Sequence, residues 1–262
     1  MNIHLDDIRW LRKYYPGLRI KNEETITGVL RFRAAMTTKS NPPLLRPPKI
    51  EIWHERPCSA QGRFYLEDHY EIEGFFDDNW YPYFKETEGR LETYARKIGK
   101  SLMEVHVFPE TKELCLGHPV SIQAIMEQKI SIQKFFERLL IPHLYYHSYW
   151  QKYGVEPWRG LNHGDAGILE GLSDLKNELN NLNSIRLSYA HVSKQIQLKI
   201  CQCLVSGLEI KRNNTCFCGS GEKVKDCCKD RAMRGFNLLL KAIKRKGFIS
   251  PFETLVPIIP VD

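Results

Sequence analysis

Two pairs of cysteines near the C-terminal end constrain this chain more than any other feature. The pairs stand in Cys-Phe-Cys and Cys-Cys, with eight residues between them that include two glycines. Zn²⁺ accepts four thiolates tetrahedrally, and about twenty residues cannot bury a core of their own without such a metal. The spacing therefore predicts a structural zinc site with no open coordination position. Its four expected ligands are Cys216, Cys218, Cys227 and Cys228.

The other four cysteines are scattered through a chain of 262 residues, of which 42% are apolar and 26% are charged. This is a globular composition, which excludes a disordered or fibrous class. A secreted disulfide scaffold would be shorter and more evenly supplied with cysteine. No secretory signal and no uninterrupted apolar stretch of membrane-spanning length is found. We therefore expect a cytoplasmic protein with reduced thiols and no membrane partner.

Hydrophobic periodicity predicts an α+β fold. A helix is expected at residues 5–15, and four strands are expected at residues 27–36, 49–55, 69–76 and 101–108. Consecutive short strands with no helices between them favour an antiparallel meander. Helical spacing returns at residues 130–150, with Ser131 as the expected N-cap, and at residues 167–205. The predicted domains are a main domain at 1–205, the zinc module at 211–232 and a tail at 233–262.

The segment from Lys211 to Lys246 accounts for the net positive charge of the chain. It holds eleven Lys and Arg against three Asp and Glu, a net charge of +8 that falls to about +6 once four thiolates hold one zinc ion. Part of the segment has the pattern of a basic amphipathic helix, which usually docks on the protein body or on a partner. Few aromatic residues stand beside the charge to stack on bases, so nucleic acid is not the expected partner.

Cys115 is the cysteine whose surroundings suggest chemistry. It follows the last predicted strand in Leu-Cys-Leu-Gly-His-Pro, with His106 nine residues before it and His118 three residues after it. A thiolate nucleophile needs exposure and a nearby imidazole, although a single cysteine is often only a packed core residue. The candidate catalytic residues are therefore Cys115, His106 and His118. No residues for binding an organic cofactor are indicated.

Residues from about Tyr70 to Tyr146 resemble the ubiquitin-conjugating enzyme fold. The resemblance is carried by Tyr81-Pro82, by His106 and by Cys115-Leu116, followed by a helix. It implies a four-stranded antiparallel meander flanked by helices, with Cys115 as an acyl-accepting thiol. In the eukaryotic branch an Asn stands eight residues before the cysteine and helps to stabilise the oxyanion. This chain has Val107 there, so another group would have to supply that donor.

More narrowly, the chain resembles a bacterial branch of that fold, and its cysteine pairs resemble the SEC-C zinc motif. The matching pairs and triplets are Gly89-Arg90, Cys115-Leu116-Gly117, Leu140-Ile141-Pro142, Leu144-Tyr145, Tyr149-Trp150, Pro157-Trp158 and His163-Gly164. Members of that branch are encoded beside cGAS-like nucleotidyltransferases in anti-phage operons. The resemblance implies an enzyme that carries the C-terminus of such a nucleotidyltransferase as a thioester on Cys115 and transfers it to an amine, in antiviral defence.

Two other functions remain open on the sequence. Cys115 with His106 or His118 could serve a cysteine hydrolase that cleaves an isopeptide or a thioester, although no Asn or Asp in a recognisable context would orient the histidine. The chain could also be a non-enzymatic scaffold that bears zinc and binds a protein or nucleic acid through its basic tail. Release of the acyl group, rather than its transfer, would distinguish a hydrolase from a conjugating enzyme. Steeply salt-dependent binding of nucleic acid would support the scaffold.

Overall fold

The structure is a computed structural model of the chain. It describes residues 3–38, 40, 42, 44, 47–55, 64–76, 82–117, 122, 131–160, 162, 164–174 and 182–246. The chain forms two compact units. Unit 1 comprises residues 1–117 and 125–160, and unit 2 comprises residues 118–124 and 161–262. Unit 2 thus groups the cysteine module with helices that the sequence analysis assigns to a domain of residues 1–205. The predicted domain boundaries stay a prediction.

Unit 1 combines helices with an antiparallel sheet, as the α+β prediction requires. Its elements in chain order are α1 (Leu5–Tyr14), β1 (Leu18–Asn22), β2 (Thr25–Thr37), β3 (Lys49–Ile52), β4 (Tyr65–Phe75), β5 (Tyr83–Glu86), α2 (Arg90–Lys97), a 3₁₀ turn (Met103–Val105), α3 (Ile132–Phe135), a π-helical turn (Phe136–Leu140) and α4 (Ile141–Tyr153).

The long strand β2 organises the sheet. One of its edges pairs with β4 over eleven residues, and β4 pairs in turn with β5. The other edge of β2 is shared by β1 at one end and β3 at the other, and every pairing is antiparallel. In the described residues the sheet therefore has five strands rather than the four of the predicted meander. Three of the predicted strands, at 27–36, 49–55 and 69–76, correspond to β2, β3 and β4.

The fourth predicted strand, at residues 101–108, is wrong. The side chain of Glu104 accepts hydrogen bonds from the N–H and the hydroxyl of Ser101, at 2.9 and 2.8 Å, and the Glu104 N–H donates back to the Ser101 hydroxyl. This reciprocal S-x-x-E capping arrangement favours a helical turn, which outweighs the alternating apolar pattern. His106 then adopts a left-handed backbone conformation, with φ 54°, which ends the turn.

The predicted helix at 130–150 is confirmed from residue 132 onward as one continuous run of α3, the π-helical turn and α4. The Ser131 hydroxyl accepts a hydrogen bond from the Lys134 N–H, so its predicted N-cap role is also confirmed. The Asp7 carboxylate accepts from the Ile132 N–H at 3.1 Å and so ties α1 to this helix start. Pro142 cannot donate to a carbonyl in the preceding turn, which accounts for the wider turn just before it. Helix α4 is buried on nearly all sides and forms the core of unit 1.

Unit 2 is helical around the cysteine module. Its helices are α5 (Gly164–Asp174), α6 (Leu182–His191), α7 (Lys194–Ser206) and α8 (Lys229–Arg245). Gly235 lets α8 approach α5 very closely, because a Cβ atom at that position would lie 1.7 Å from the Leu169 carbonyl oxygen. The apolar face of α8 joins one continuous core with α5, α6, α7 and the module.

Across the described residues, no helix has both the length and the apolar character that crossing a membrane requires.

Candidate functional site

Cys115 lies on a short two-stranded ribbon opposite His106. The N–H of Cys115 donates to the His106 carbonyl at 2.8 Å, and the next pair along the ribbon is the antiparallel bridge between Val107 and Leu114. The Leu114 N–H also donates to the Phe84 carbonyl, which attaches the ribbon to β5. Residues directly opposite in an antiparallel pair have neighbouring backbones. The nine-residue spacing thus corresponds to a short antiparallel ribbon in which His106 and Cys115 are opposite residues.

The imidazole of His106 is held against backbone rather than in open solvent. A Cβ atom on Gly160 would lie 2.6 Å from His106 Nε2, so only glycine leaves room for the ring at this position. The ring also meets Tyr146 of α4 edge-on, with 6.1 Å between ring centroids. The backbone of the segment after α4 and the side chains of α4 therefore fix where this histidine lies.

The Cys115 side chain is partly buried, at the end of the ribbon. Burial raises the pKa of its thiol, while a hydrogen bond from the Gly117 N–H acts in the opposite direction by favouring the thiolate. The net shift is upward, so the resting group at neutral pH is the thiol. Nucleophilic use of this sulfur therefore requires a base that accepts its proton.

Val107, which stands where the resembling family carries Asn, is an apolar core residue with only 5% of its surface exposed. A polar donor at this position would have to be accommodated within the core. The backbone N–H of Gly117 is the described donor that lies against the sulfur.

The third predicted catalytic residue, His118, lies outside the described residues, as do Tyr81 and His163 of the family pattern. Arg90 of that pattern is described and has a structural role. Its guanidinium binds both carboxylate oxygens of Asp68 at 3.0 and 2.6 Å, and it also donates to Gln151 and to the His69 carbonyl. Arg90 also lies 4.3 Å from the centre of the Tyr70 ring. It therefore joins α2, β4 and α4.

Two histidines that the sequence analysis did not select lie inside unit 1. His143 and His147 stand one turn apart on α4, with 4.7 Å between their ring centroids. His147 is fully buried, and neither of its ring nitrogens has a hydrogen-bond partner among the described residues. Within the same residues, Nε2 of His143 also lacks a partner. Burial lowers the pKa of His143 to about 3, aided by His106, and burial also lowers the pKa of His147 well below its usual range. Their spacing of four residues was a visible signal, but it is equally common in packed helices.

The four cysteines that the spacing singles out do converge. Their sulfur atoms all lie within 4.8 Å of one another. The sulfur–sulfur separations are 3.4 Å for Cys216 to Cys218, 3.3 Å for Cys218 to Cys227, and 3.9 Å for Cys227 to Cys228. Zn–S bonds of about 2.3 Å in a tetrahedron place sulfurs roughly 3.8 Å apart. The cluster is therefore compatible with a metal ion that has four thiolate ligands.

The backbone around these cysteines is built for such a cluster. The Cys216 N–H donates to the Glu222 carbonyl at 2.7 Å, and the Cys227 N–H donates to the Lys223 carbonyl at 3.0 Å, which closes the loop between the pairs. Gly219 and Gly221 of that loop have φ values of 82° and 80°, where a side chain would be strained. The two glycines between the cysteine pairs thus allow the tight turn of this loop.

The electrostatics of the cluster also favour a bound cation. Burial raises the pKa of Cys218, yet hydrogen bonds from Ser220 and the neighbouring thiols outweigh it and bring that pKa down to about 6. The pKa of Cys228 is raised by burial and by the other sulfurs, which disfavour a second negative charge beside the first. A divalent ion removes this conflict, because it lets all four sulfurs be thiolates at once.

The remaining cysteines stand apart from this cluster. Cys203 is buried in the core of unit 2, where burial raises the pKa of its thiol. The Cys201 sulfur lies 3.6 Å from the Tyr189 hydroxyl. Cys58 lies outside the described residues. Among the described residues, neither Cys201 nor Cys203 belongs to the four-sulfur cluster.

Comparison of the chain with protein-family models, with curated proteins and with solved structures found no match. The functional proposal therefore depends on the two sites described above.

Proposed function

We propose that the chain is an acyl transferase of the ubiquitin-conjugating kind. In this proposal Cys115 accepts a protein C-terminus as a thioester and passes it to an amine, and the donor is a cGAS-like nucleotidyltransferase acting in antiviral defence. The observation that carries the proposal is the position of a partly exposed cysteine directly opposite a histidine on a ribbon at the edge of an antiparallel sheet. The identity of the donor comes from the resemblance in sequence alone.

The first chemical step is a thioester exchange. The Cys115 sulfur attacks the carbonyl carbon of an activated C-terminus, and the thiol proton goes to a base. The thiol that first carried the C-terminus then leaves, and the base returns the proton to it. Because burial raises the pKa of Cys115, a base must take that proton, and the candidate is His106, whose backbone pairs with that of Cys115 in the ribbon. The Gly117 N–H, which already bonds to the sulfur, lies where a backbone donor could support developing negative charge.

The second step is transfer to an amine. A neutral amine attacks the thioester carbonyl, the C–S bond breaks, and the Cys115 thiol is regenerated as the amide forms. His106 would accept the proton that the amine loses and pass it to the leaving sulfur. With Val107 in place of the family's Asn, we expect this step to be slower than the thioester exchange, since one preorganised side-chain donor contributes about 3 kcal/mol.

The test begins with a nucleotidyltransferase whose C-terminus has been converted chemically to a small-molecule thioester, which removes the need for an activating enzyme. Incubation with the chain is expected to give a covalent adduct that intact-mass spectrometry detects and that excess thiol reverses. Cys115→Ala should abolish the adduct. Cys201→Ala is the matched control, because it removes a partly buried thiol outside both sites.

Three outcomes distinguish the functions. Adduct formation followed by transfer to added lysine supports the proposal. Release of the free donor acid, dependent on Cys115 and without a lasting adduct, would identify a hydrolase instead. An unchanged adduct in Cys115→Ala, or no reaction with the folded wild-type chain, would contradict Cys115 chemistry and leave the scaffold function.

We further propose that the four-cysteine cluster holds one Zn²⁺ in a purely structural role. Four sulfur ligands fill a tetrahedral ion, so no position remains for substrate or water. Two of the ligands, Cys216 and Cys228, are part of the core of unit 2. The proposed metal therefore stabilises the helices around it and takes no part in the reaction at Cys115.

A further inference from the structure

The outer face of α7 exposes apolar side chains that the core of unit 2 does not use. Leu198 and Val205 lie seven residues apart on that helix and are 61% and 91% exposed, and Leu208 just beyond its end is 66% exposed. Residues at i and i+7 share a helix face. Single exposed apolar residues are ordinary, but two on one helix face with a third just past the helix end can form a patch that another segment covers. We refer to Leu198, Val205 and Leu208 as the α7 stripe.

We propose that residues 247–262 of this same chain dock on the α7 stripe. This tail directly follows α8, and eight of its sixteen residues are apolar or aromatic. Prolines at 251, 257 and 260 disfavour a helix, so the tail would bind as an extended segment. The proposal concerns unit 2 alone and does not depend on any chemistry at Cys115.

The starting point of the tail lies close to the α7 stripe. The Asn237 side chain of α8 exchanges two hydrogen bonds with the backbone of Ile210, at 2.8 and 3.2 Å. One turn further along α8, the Lys241 ammonium pairs with Glu209 at 3.2 Å. Glu209 is the neighbour of Leu208 in the stripe. Helix α8 continues for only about 8 Å beyond Lys241, so the tail begins near Leu208. Little chain is needed to reach it.

The length and charge of the tail also fit. Helix α7 is 13 residues long, which is about 20 Å, whereas sixteen extended residues reach roughly 50 Å. The tail carries two acidic residues and no basic one. Helix α7 carries Lys194 and Lys199 and no acidic residue. A segment joined to its own binding face also has a high effective concentration, so a small apolar patch suffices to hold it.

Hydrogen exchange on the zinc-loaded full chain tests the proposal directly. We expect backbone amides within residues 252–261 to exchange about tenfold more slowly than in a free peptide of the same sequence. Val205→Glu should raise these rates to those of the free peptide, because it places a charge at the most exposed position of the stripe. Ser206→Glu is the matched control, since it adds the same charge one residue later on another face of α7 and should leave the protection unchanged.

Removal of residues 247–262 gives the reciprocal measurement. The shortened chain should bind an added tail peptide, and Val205→Glu in that chain should abolish the binding while Ser206→Glu retains it. The proposal is overturned if the tail amides of the wild-type chain exchange at the rates of the free peptide. It is also overturned if protection falls on dilution, which would show that a second copy of the chain supplies the contact.

Discussion

Arg90 shows how much of unit 1 depends on a single side chain. Its guanidinium donates to both carboxylate oxygens of Asp68 and also to Gln151 on α4. Among the amino acids, only arginine has this planar, forked set of donors. Arg90→Lys keeps the charge but loses the fork and leaves Asp68 partly unpaired. We expect it to lower the free energy of unfolding by about 2–4 kcal/mol in urea titrations. Arg96→Lys, at an exposed position on the same helix, should change it by less than about 0.5 kcal/mol, and equal effects would contradict this role.

The buried imidazoles of His143 and His147 make the stability of unit 1 depend on pH. Their pKa values are lowered in the folded state, whereas in the unfolded chain both titrate near their ordinary 6.5. Below that pH the unfolded state binds more protons, so the free energy of unfolding falls by up to about 1.4 kcal/mol per histidine for each pH unit. The free energy of unfolding is therefore highest above about pH 6.5, and it falls on acidification toward pH 3.

Urea titrations at pH 7.5 and pH 5.5 measure this loss, which we expect to be about 2–3 kcal/mol. Asp68, whose pKa is lowered by hydrogen bonds from Arg90 and Ser148 despite its burial, stays ionised at both pH values and does not contribute to the change. The charged groups that act on the pair are His106 and Arg90, both of which disfavour a further positive charge. A double variant, His143→Phe with His147→Phe, should unfold with little pH dependence over this range. A wild-type stability that is the same at both pH values would contradict the prediction.

Among the helices of unit 2, the contact between α5 and α8 is the closest. Gly235→Ala raises helix propensity by about 1 kcal/mol, which taken alone would stabilise α8. The added methyl would, however, meet the backbone oxygen of Leu169 at 1.7 Å, and backbone cannot move aside as a flexible side chain can. We expect a net loss of about 1–3 kcal/mol in thermal or urea unfolding of unit 2. Arg234→Ala, exposed on the same helix, is the control, and a stabilised Gly235→Ala would show that the two helices separate without cost.

Local patterns predicted those elements whose residues are half-buried in a regular way. Alternation revealed β2 and β4, because one face of each strand packs on the core and the other meets solvent. The same alternation at residues 101–108 was misleading, since hydrogen bonds between Ser101 and Glu104 determine a turn there. Metal-ligand spacing predicted the cysteine cluster because short-range spacing limits where the sulfurs can lie. No local pattern could place His106 opposite Cys115 or bury His147, because both depend on how α4 and the ribbon pack in the folded unit.

At the scale of the whole molecule, the chain consists of two units with separate cores, and only unit 2 contains the proposed metal. Cys216 and Cys228 are core residues of that unit, and Phe217 between the cysteines stacks on Phe236 of α8 with 5.0 Å between ring centroids. Loss of the ion would leave four close sulfurs that cannot all be ionised, and would free a loop that is too short to fold alone. Loss of the metal should therefore destabilise α7 and α8 as well as the cysteine module.

Metal analysis and hydrogen exchange can test this dependence. We expect one zinc per chain, and we expect a strong chelator or Cys218→Ser to remove it and to raise exchange in α7 and α8 at least tenfold. Amides of the β2–β4 ladder should keep their protection, because unit 1 has its own core. Cys201→Ser is the matched control, since this thiol belongs to unit 2 but not to the cluster. A chain that contains no zinc, or that loses zinc without any change in α7 and α8, would contradict a structural metal in unit 2.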